Sequence, residues 1–248
     1  MKSGMTLFIF RVIFFILLFY TNNIFAQNNV SDNASYHQAL ADTRAVYYQS
    51  FGEQSALYNG QEYGDYLFGF ENGQPFFYSA EPVVGSIIYD GVIYDSILMR
   101  YDEIKDVVAV NHLNDKIQLW NEKVQGFNLY NSTFILLLKD SLSSSLVKSG
   151  FYNLLYKGKV SLFKKEIKTL MERTTLSELL RIIQQKDHYY IKKEGKFYPI
   201  KSKKDLFEIF GDSKKEVQRF INTNGLNFRK NPENMLVKTT AYYDGLKK

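Results

Sequence analysis

The acidic side chains best suited to metal binding are concentrated in one short stretch of the chain. Asp102, Glu103 and Asp106 form the densest acidic cluster of the sequence. A calcium loop places oxygen ligands at fixed positions around a glycine that allows a sharp turn. The spacing here matches no such loop, and no glycine stands where the turn would need it. We therefore predict a solvated turn between two strands at this place rather than a metal loop.

Histidine and cysteine offer no second route to a metal site. His37, His112 and His188 lie far apart, and none has another histidine at ligand spacing. The chain has no cysteine, which excludes thiolate ligands, thiol nucleophiles and disulfides. A phosphate-binding glycine-rich loop, a nucleophile elbow and the His-Glu-x-x-His zinc motif are also missing. We predict no cofactor and no metal site, and we assign no catalytic residue.

Carboxylates beside aromatic residues leave one enzymatic alternative open. Glycosidases use a pair of Asp or Glu side chains, and the separation of that pair is a three-dimensional quantity. Asp90, Asp95 and Asp102 lie near aromatic residues, which sugar binding favours. A structural explanation is stronger, because Asp90 belongs to a turn and tyrosine is common in strands. The aromatic residues, 16% of the chain, are accordingly expected mainly in the core.

Turn dipeptides place these residues in a β-rich region that runs from 61 to 201. Asp90-Gly91 supplies the positive φ angles of a two-residue hairpin turn between arms at about Ser86–Tyr89 and Val92–Tyr101. Further strand candidates are short and closely spaced, which favours an antiparallel meander. They comprise residues 76–79, 106–111, 116–120, 124–130, 133–139, 151–156, 160–170, 189–192 and 197–201.

Helices are predicted at both ends of this region. The first spans about residues 34–51, inside an N-terminal segment of residues 27–60. The C-terminal segment, 202–248, should form two or three short helices. Their starts are indicated by the capping-box spacing of Ser202–Asp205 and of Ser213–Glu216, and by an Asn-Pro pair at 231 and 232.

The region from 169 to 186 fits either a helix or strands. Leu176, Leu179, Leu180 and Ile183 have helical spacing, but the neighbouring threonines do not favour a helix. With this region left open, the fold class is α+β. The predicted architecture is an antiparallel β-meander, either a curved sheet or an open barrel, with an N-terminal helix and two or three short C-terminal helices.

The first 26 residues have the layout of a secretory signal peptide. Lys2 and Arg11 are positive, Val12–Tyr20 is an unbroken apolar run, and Ala26 offers a small residue for cleavage. An uncleaved anchor is the alternative, but the apolar stretch is shorter than the roughly 20 residues that a spanning helix needs. We therefore expect an exported protein, periplasmic or extracellular after cleavage, with a single domain from 27 to 248.

Charge divides the expected mature chain into two halves. Residues 27–150 hold 7 Lys+Arg and 15 Asp+Glu, a net charge of −8, and residues 151–248 hold 22 and 11, a net charge of +11. The halves neutralise each other, or the basic half contacts an anionic surface peripherally. Lysines alternate with aromatic residues over 188–210, a pattern that nucleic-acid binding also shows. A hairpin and a capped helix explain these lysines, so we expect no nucleic-acid partner.

The order of several motifs resembles a family of exported proteins from Bacteroidetes-group bacteria. These motifs are LYNGQEYGDY at 57–66, GQPFFYS at 73–79, the stretch 85–112 and the stretch 189–221. That family has no assigned activity, so the resemblance implies export and one continuous domain but no catalytic residue. We expect a non-enzymatic binding or structural module with a protein or polysaccharide partner in the cell envelope. A carbohydrate-active enzyme that uses Asp or Glu, and an amphiphile carrier, are the alternatives.

Overall fold

In the part of the chain that the structure describes, the dominant feature is an antiparallel sheet of eleven strands. The computed structural model describes residues 56–138, 147–176 and 178–246, together with the isolated positions 35, 39, 42, 43 and 46. From residue 56 onward they belong to one compact unit, Arg44–Lys248. The strands are β1 Gln61–Glu62, β2 Val83–Tyr89, β3 Val92–Asp102, β4 Val107–His112, β5 Asp115–Gln118, β6 Val124–Leu129, β7 Ser132–Leu137, β8 Gly150–Tyr156, β9 Ser161–Thr174, β10 Leu179–Lys193 and β11 Lys196–Ile200.

Most strands pair with their neighbours in the chain, as a meander requires. The strand order is β1-β5-β4-β3-β2-β6-β7-β8-β9-β10-β11. Tight turns with positive φ join several hairpins, including Asp90-Gly91 between β2 and β3 and Glu194-Gly195 between β10 and β11. The β-rich α+β prediction is therefore confirmed.

The sheet is curved and open. Tyr101 on β3 and Phe151 on β8 are four strands apart, which in a flat sheet corresponds to about 19 Å. Their ring centroids are only 5.8 Å apart. The sheet therefore curls so that the two strands face each other across a core that also contains Phe127 and Phe134. β1 and β11 remain at its two edges.

A bridging segment, residues 71–77, connects β10 to β3 across the curled sheet. At one end the Glu71 amide donates to the Arg181 carbonyl of β10, at 2.8 Å. At the other end the Phe77 amide donates to the Tyr101 carbonyl of β3, at 2.9 Å. The two ends of the segment thus join distant strands and form one wall of the cleft described below.

The predicted strand at 76–79 is wrong. Phe76 makes an isolated bridge to Asp102, and no strand is assigned to 76–79. The reason lies at Tyr78, whose φ of +56° turns the backbone out of the extended region.

The ambiguous region from 169 to 186 forms strands. β9 and β10 pair continuously, from Thr174 opposite Leu179 to Ser161 opposite Lys192. The helical reading required Leu176 to join a buried apolar stripe, but Leu176 is fully exposed at the tip of the hairpin. Strand pairing satisfies the backbone hydrogen bonds without burying that side chain.

Three helices follow β11. They are α1 Lys203–Ile209, α2 Lys214–Thr223 and α3 Pro232–Leu246, and they enclose a second core with the sheet. The predicted capping box at the start of α1 is confirmed, since Ser202 and Asp205 accept each other's amide hydrogens. The second box is wrong, because Ser213 makes no side-chain capping bond.

The predicted start of α3 is also confirmed. The Asn231 side chain accepts the Asn234 amide at 3.0 Å, and Pro232 is the first helical residue. The helix predicted at 34–51 lies largely outside the described residues. Among the described residues, no helix combines the length and the apolar character needed to cross a membrane.

Gly85 is required by close backbone packing at an irregular point of the β2–β3 pairing. A Cβ there would lie 2.6 Å from Met99 Cε and closer still to the Asn128 carbonyl oxygen of β6. The methionine can shift, but the carbonyl belongs to a paired strand. We expect Gly85→Ala to lower the free energy of unfolding by about 2 kcal/mol, measured by urea denaturation.

Gly64→Ala is the matched control, because a Cβ at Gly64 meets nothing within 4 Å. Its effect should stay within about 0.5 kcal/mol. Equal losses in the two variants would contradict the packing explanation.

Candidate functional site

A polar cleft of about 710 Å³ opens between the sheet and the bridging segment. β8, β9 and β10 supply its floor, the bridging segment and the β6–β7 turn supply its walls, and the first turn of α3 closes one side. Its polar lining residues are Gln74, Asn131, Ser132, Asn153, Lys164, Glu166, Lys168, Gln185 and Glu233.

The floor of the polar cleft follows from the two-residue period of a strand. Lys164, Glu166 and Lys168 alternate along β9, so their side chains share one face of the sheet. Opposite them on β10, Asp187 pairs with Glu166 and Gln185 pairs with Lys168. Charged and amide groups therefore lie side by side on two neighbouring strands.

Lys164 holds three carboxylates together. Its Nζ lies 3.0 Å from Glu166 Oε2, 3.0 Å from Asp187 Oδ2 and 3.3 Å from Glu233 Oε2. Burial opposes the charged form of this lysine, but hydrogen bonds to Asp187 and Glu166 outweigh burial and raise the pKa of Lys164 above its usual value. The ammonium group thus joins β9, β10 and α3 at one point of the cleft.

Two exposed tyrosines stand at the rim of the polar cleft. Tyr78 lines the cleft and is 72% exposed, and Tyr130, which precedes the lining residue Asn131, is 43% exposed. Their ring centroids are 5.3 Å apart in an edge-on arrangement. Both have positive φ, 56° for Tyr78 and 52° for Tyr130, which is uncommon for a bulky side chain. We call this pair the tyrosine rim.

A buried ion pair lies behind the cleft. Lys168 Nζ is 2.8 Å from Glu103 Oε2 and donates to the Phe76 carbonyl at 2.7 Å. Burial and the nearby charge of Glu166 raise the pKa of Glu103 to about 7, against the opposing effect of Lys168. The Glu103 side chain is fully buried, so its carboxyl supports the wall rather than lining the cleft.

The acidic turn from 102 to 106 joins β3 to β4, but the prediction that it is solvated is wrong. The Asp102 carboxylate is fully buried and accepts the hydroxyls of Tyr63 and Tyr66 at 2.7 and 2.9 Å. It also accepts the amides of Ile104 and Lys105, both at 2.9 Å. Burial is sustainable because each carboxylate oxygen has two donors.

Asp106, the third acid of this turn, faces β9. Its Oδ1 lies 2.7 Å from Lys165 Nζ and accepts the Tyr101 hydroxyl at 2.6 Å. Burial lowers the pKa of Lys165, although the charge of Asp106 opposes this. Since Lys165 also donates to the Phe151 carbonyl at 2.9 Å, the turn is fixed to the far side of the curled sheet.

The other acids weighed for catalysis are not brought together. Asp90 and Asp95 are exposed, and Asp102 is buried. Asp90 lies in the turn before β3 and Asp102 is the last of the eleven residues of that strand, so about 33 Å of extended chain separates them and they cannot act as a pair.

The histidines are also separate, as far as the structure describes them. His112 stacks on Tyr58 with centroids 3.8 Å apart, whereas His188 lines a different groove. His37 lies outside the described residues. In the described part of the chain, no three His, Asp or Glu side chains are grouped to hold a metal ion.

These features define a β-rich protein whose polar cleft offers donors and acceptors beside two aromatic rings. The cleft residues come from separate segments and form no sequence motif. A sequence signal that could have indicated the rim is the position of Tyr130 beside Asn131, where one predicted strand ends and the next follows. No protein-family model, no curated protein and no solved structure matches the chain.

Proposed function

We propose that the protein is an exported, non-enzymatic binding module of the cell envelope that holds a polysaccharide segment in the polar cleft. The tyrosine rim is the observation that supports this most. Two large rings are kept in solvent on uncommon backbone conformations, beside a cleft of amides and charges. A conformation of this kind is a reason to look for function.

The chemistry of a sugar ring fits this arrangement. Its hydroxyl groups both donate and accept hydrogen bonds, as the amides of Gln74, Asn153 and Gln185 do. Its C–H faces are apolar and can lie on an aromatic ring such as that of Tyr78. A polysaccharide outside the cell also agrees with the signal peptide predicted at residues 1–26 and with the resemblance to exported proteins.

The ionic state of the cleft favours binding over hydrolysis. A glycosidase needs one protonated carboxylic acid beside the scissile bond. Glu166 and Glu233 are both ion-pair partners of the Lys164 ammonium, at 3.0 and 3.3 Å, so neither carboxyl stands free to act as that acid. The carboxyl with a pKa near neutrality, Glu103, is buried behind Lys168.

Replacing Tyr78 by alanine tests the proposal. We expect native electrophoresis through gels that contain neutral or acidic polysaccharides to show retardation of the wild-type protein. Tyr78→Ala should reduce the apparent affinity about fivefold, since stacking on one ring contributes on the order of 1 kcal/mol. Gln185→Ala should also reduce it.

Tyr198→Ala is the matched control, because Tyr198 lies on β11 and outside the cleft. It should bind like the wild type. Retardation that is equal in all variants, or missing for every polysaccharide, would contradict the proposal.

A carbohydrate-active enzyme is the second candidate, favoured by the proximity of Glu103 and Glu166. In that case the wild-type protein should release reducing ends from one of the same polysaccharides, and Glu166→Gln should abolish the release. Binding without release would leave the binding module as the conclusion.

A further inference from the structure

A second, mainly apolar groove of about 630 Å³ lies where β11 ends and the helices begin. Ile200 of β11, Phe228 of the loop before α3 and Pro232 at the start of α3 form its apolar surface, together with Tyr189 and Tyr190 of β10. Among the described residues, none that lines this groove also lines the polar cleft. The groove is therefore a separate site with different chemistry.

Positive charge gathers at the mouth of this groove. Lys186 and Lys201 line it, and Lys148 lies near the lining residue His188. Burial lowers the pKa of His188, and these three lysines lower it further, against the effect of Asp187. Among the residues that the structure describes, none of the three lysines forms an ion pair with a carboxylate.

The acidic residue at the mouth is already engaged. Asp187 Oδ2 lies 3.0 Å from Lys164 Nζ, on the polar-cleft side of the sheet. An anion that enters the groove therefore meets lysines that pair with none of the described carboxylates, and an acid whose charge Lys164 compensates. Covering the apolar surface below these lysines lowers the free energy of binding only if the ligand also has an apolar part.

We propose that this groove binds a single-chain anionic amphiphile, with its carboxylate against Lys186 and Lys201 and its hydrocarbon chain against Phe228, Ile200 and Pro232. The concave shape selects a monomeric ligand over a membrane surface, because a bilayer contacts projecting apolar residues rather than a recess. The proposal is independent of the polysaccharide site, since the described residues that line the two sites are different.

Titration calorimetry with dodecanoate below its micelle concentration tests this proposal. The wild-type protein should bind one dodecanoate per chain. The double variant Lys186→Glu/Lys201→Glu should bind at least tenfold more weakly, because both head-group contacts become repulsive. The control Lys196→Glu/Lys215→Glu has the same net charge, changes two exposed lysines outside the groove and should bind like the wild type.

A second pair of variants, a test and its matched control, examines the apolar half of the groove. Phe228→Ser should weaken dodecanoate binding about tenfold, whereas Phe207→Ser should not. Both rings are partly buried against the same core, but only Phe228 lines the groove. Thermal unfolding of both variants confirms that they are folded at the titration temperature.

Three outcomes would overturn the proposal. One is the absence of dodecanoate binding. Another is equal binding of dodecyl maltoside, which has the same chain and no charge, with no effect of the lysine variants. The third is binding to anionic phospholipid vesicles without binding to monomeric dodecanoate, which would assign the lysines to a membrane surface.

Discussion

Replacing Asp102 by alanine is expected to lower the free energy of unfolding by about 4 kcal/mol. The carboxylate accepts hydrogen bonds from Tyr63, Tyr66, Ile104 and Lys105, and it is completely buried. A buried donor that loses its acceptor costs about 1–3 kcal/mol. Because the ring of Tyr63 is buried as well, water cannot easily replace the lost oxygen.

Urea unfolding followed by circular dichroism measures this loss. Asp95→Ala is the matched control, since Asp95 is an exposed acid of the same strand and should change stability by less than about 0.5 kcal/mol. Asp102→Asn should lose less than the alanine variant, because the amide oxygen still accepts two of the four hydrogen bonds. A loss below about 1.5 kcal/mol for Asp102→Ala would show that the network is not structurally important.

The same substitution should affect the polar cleft. The Asp102 carboxylate holds the hydroxyls of Tyr63 and Tyr66, and the rings of both tyrosines contact the ring of Phe76 in the bridging segment, with centroids 6.3 and 6.4 Å away. Loss of the carboxylate therefore loosens the wall that positions Tyr78. Tyr78→Ala removes the ring that binds the polysaccharide. Asp102→Ala should instead displace this ring and weaken polysaccharide retention in that way.

Local signals explain which parts of the fold could be predicted from the sequence. Asp90-Gly91 requires positive φ at two adjacent residues, and the structure has 53° and 77° there. Ser202 and Asp205 are three residues apart and cap α1 without help from the rest of the chain. Such features depend on a few neighbouring residues, so their patterns are informative.

The acidic turn could not be predicted because its partners are distant in sequence. Tyr63 is 39 residues from Asp102, and Lys165 is 59 residues from Asp106. Three clustered acids in isolation favour solvent, and only the curled sheet brings phenols and lysines to them. The same reason applies to the polar cleft. Its Asn, Gln and Ser residues are common surface types, and they line one cleft only because folding brings separate segments together.

Stability should fall as pH rises through the range in which Glu103 ionises. Burial first, and then the charge of Glu166, raise the pKa of Glu103 to about 7 in the folded protein, from an ordinary value of 4.5. The folded state therefore holds this proton more tightly than the unfolded state. The resulting stabilisation is complete below about pH 4.5, is lost progressively as pH rises to about 7, and is absent above that.

Comparison with Glu103→Gln isolates this effect, because glutamine resembles the protonated acid at every pH. The difference in unfolding free energy, wild type minus variant, should fall by about 3 kcal/mol between pH 4.5 and pH 7.5. Urea denaturation at intervals of half a pH unit measures the curve. A difference that stays constant, or that rises with pH, would contradict the raised pKa of Glu103.

Glu166→Gln gives the sharper test of the cause. Removing the charge of Glu166 should lower the pKa of Glu103. The difference in unfolding free energy between Glu166→Gln and the double variant Glu103→Gln/Glu166→Gln should therefore have its midpoint at a lower pH than the corresponding difference between the wild type and Glu103→Gln. Glu172→Gln is the control, since Glu172 lies on the same strand, is half exposed and pairs with Arg181 instead. An unchanged midpoint in Glu166→Gln would leave burial as the sole origin of the shift, and Glu103 would then be electrostatically separate from the floor of the polar cleft.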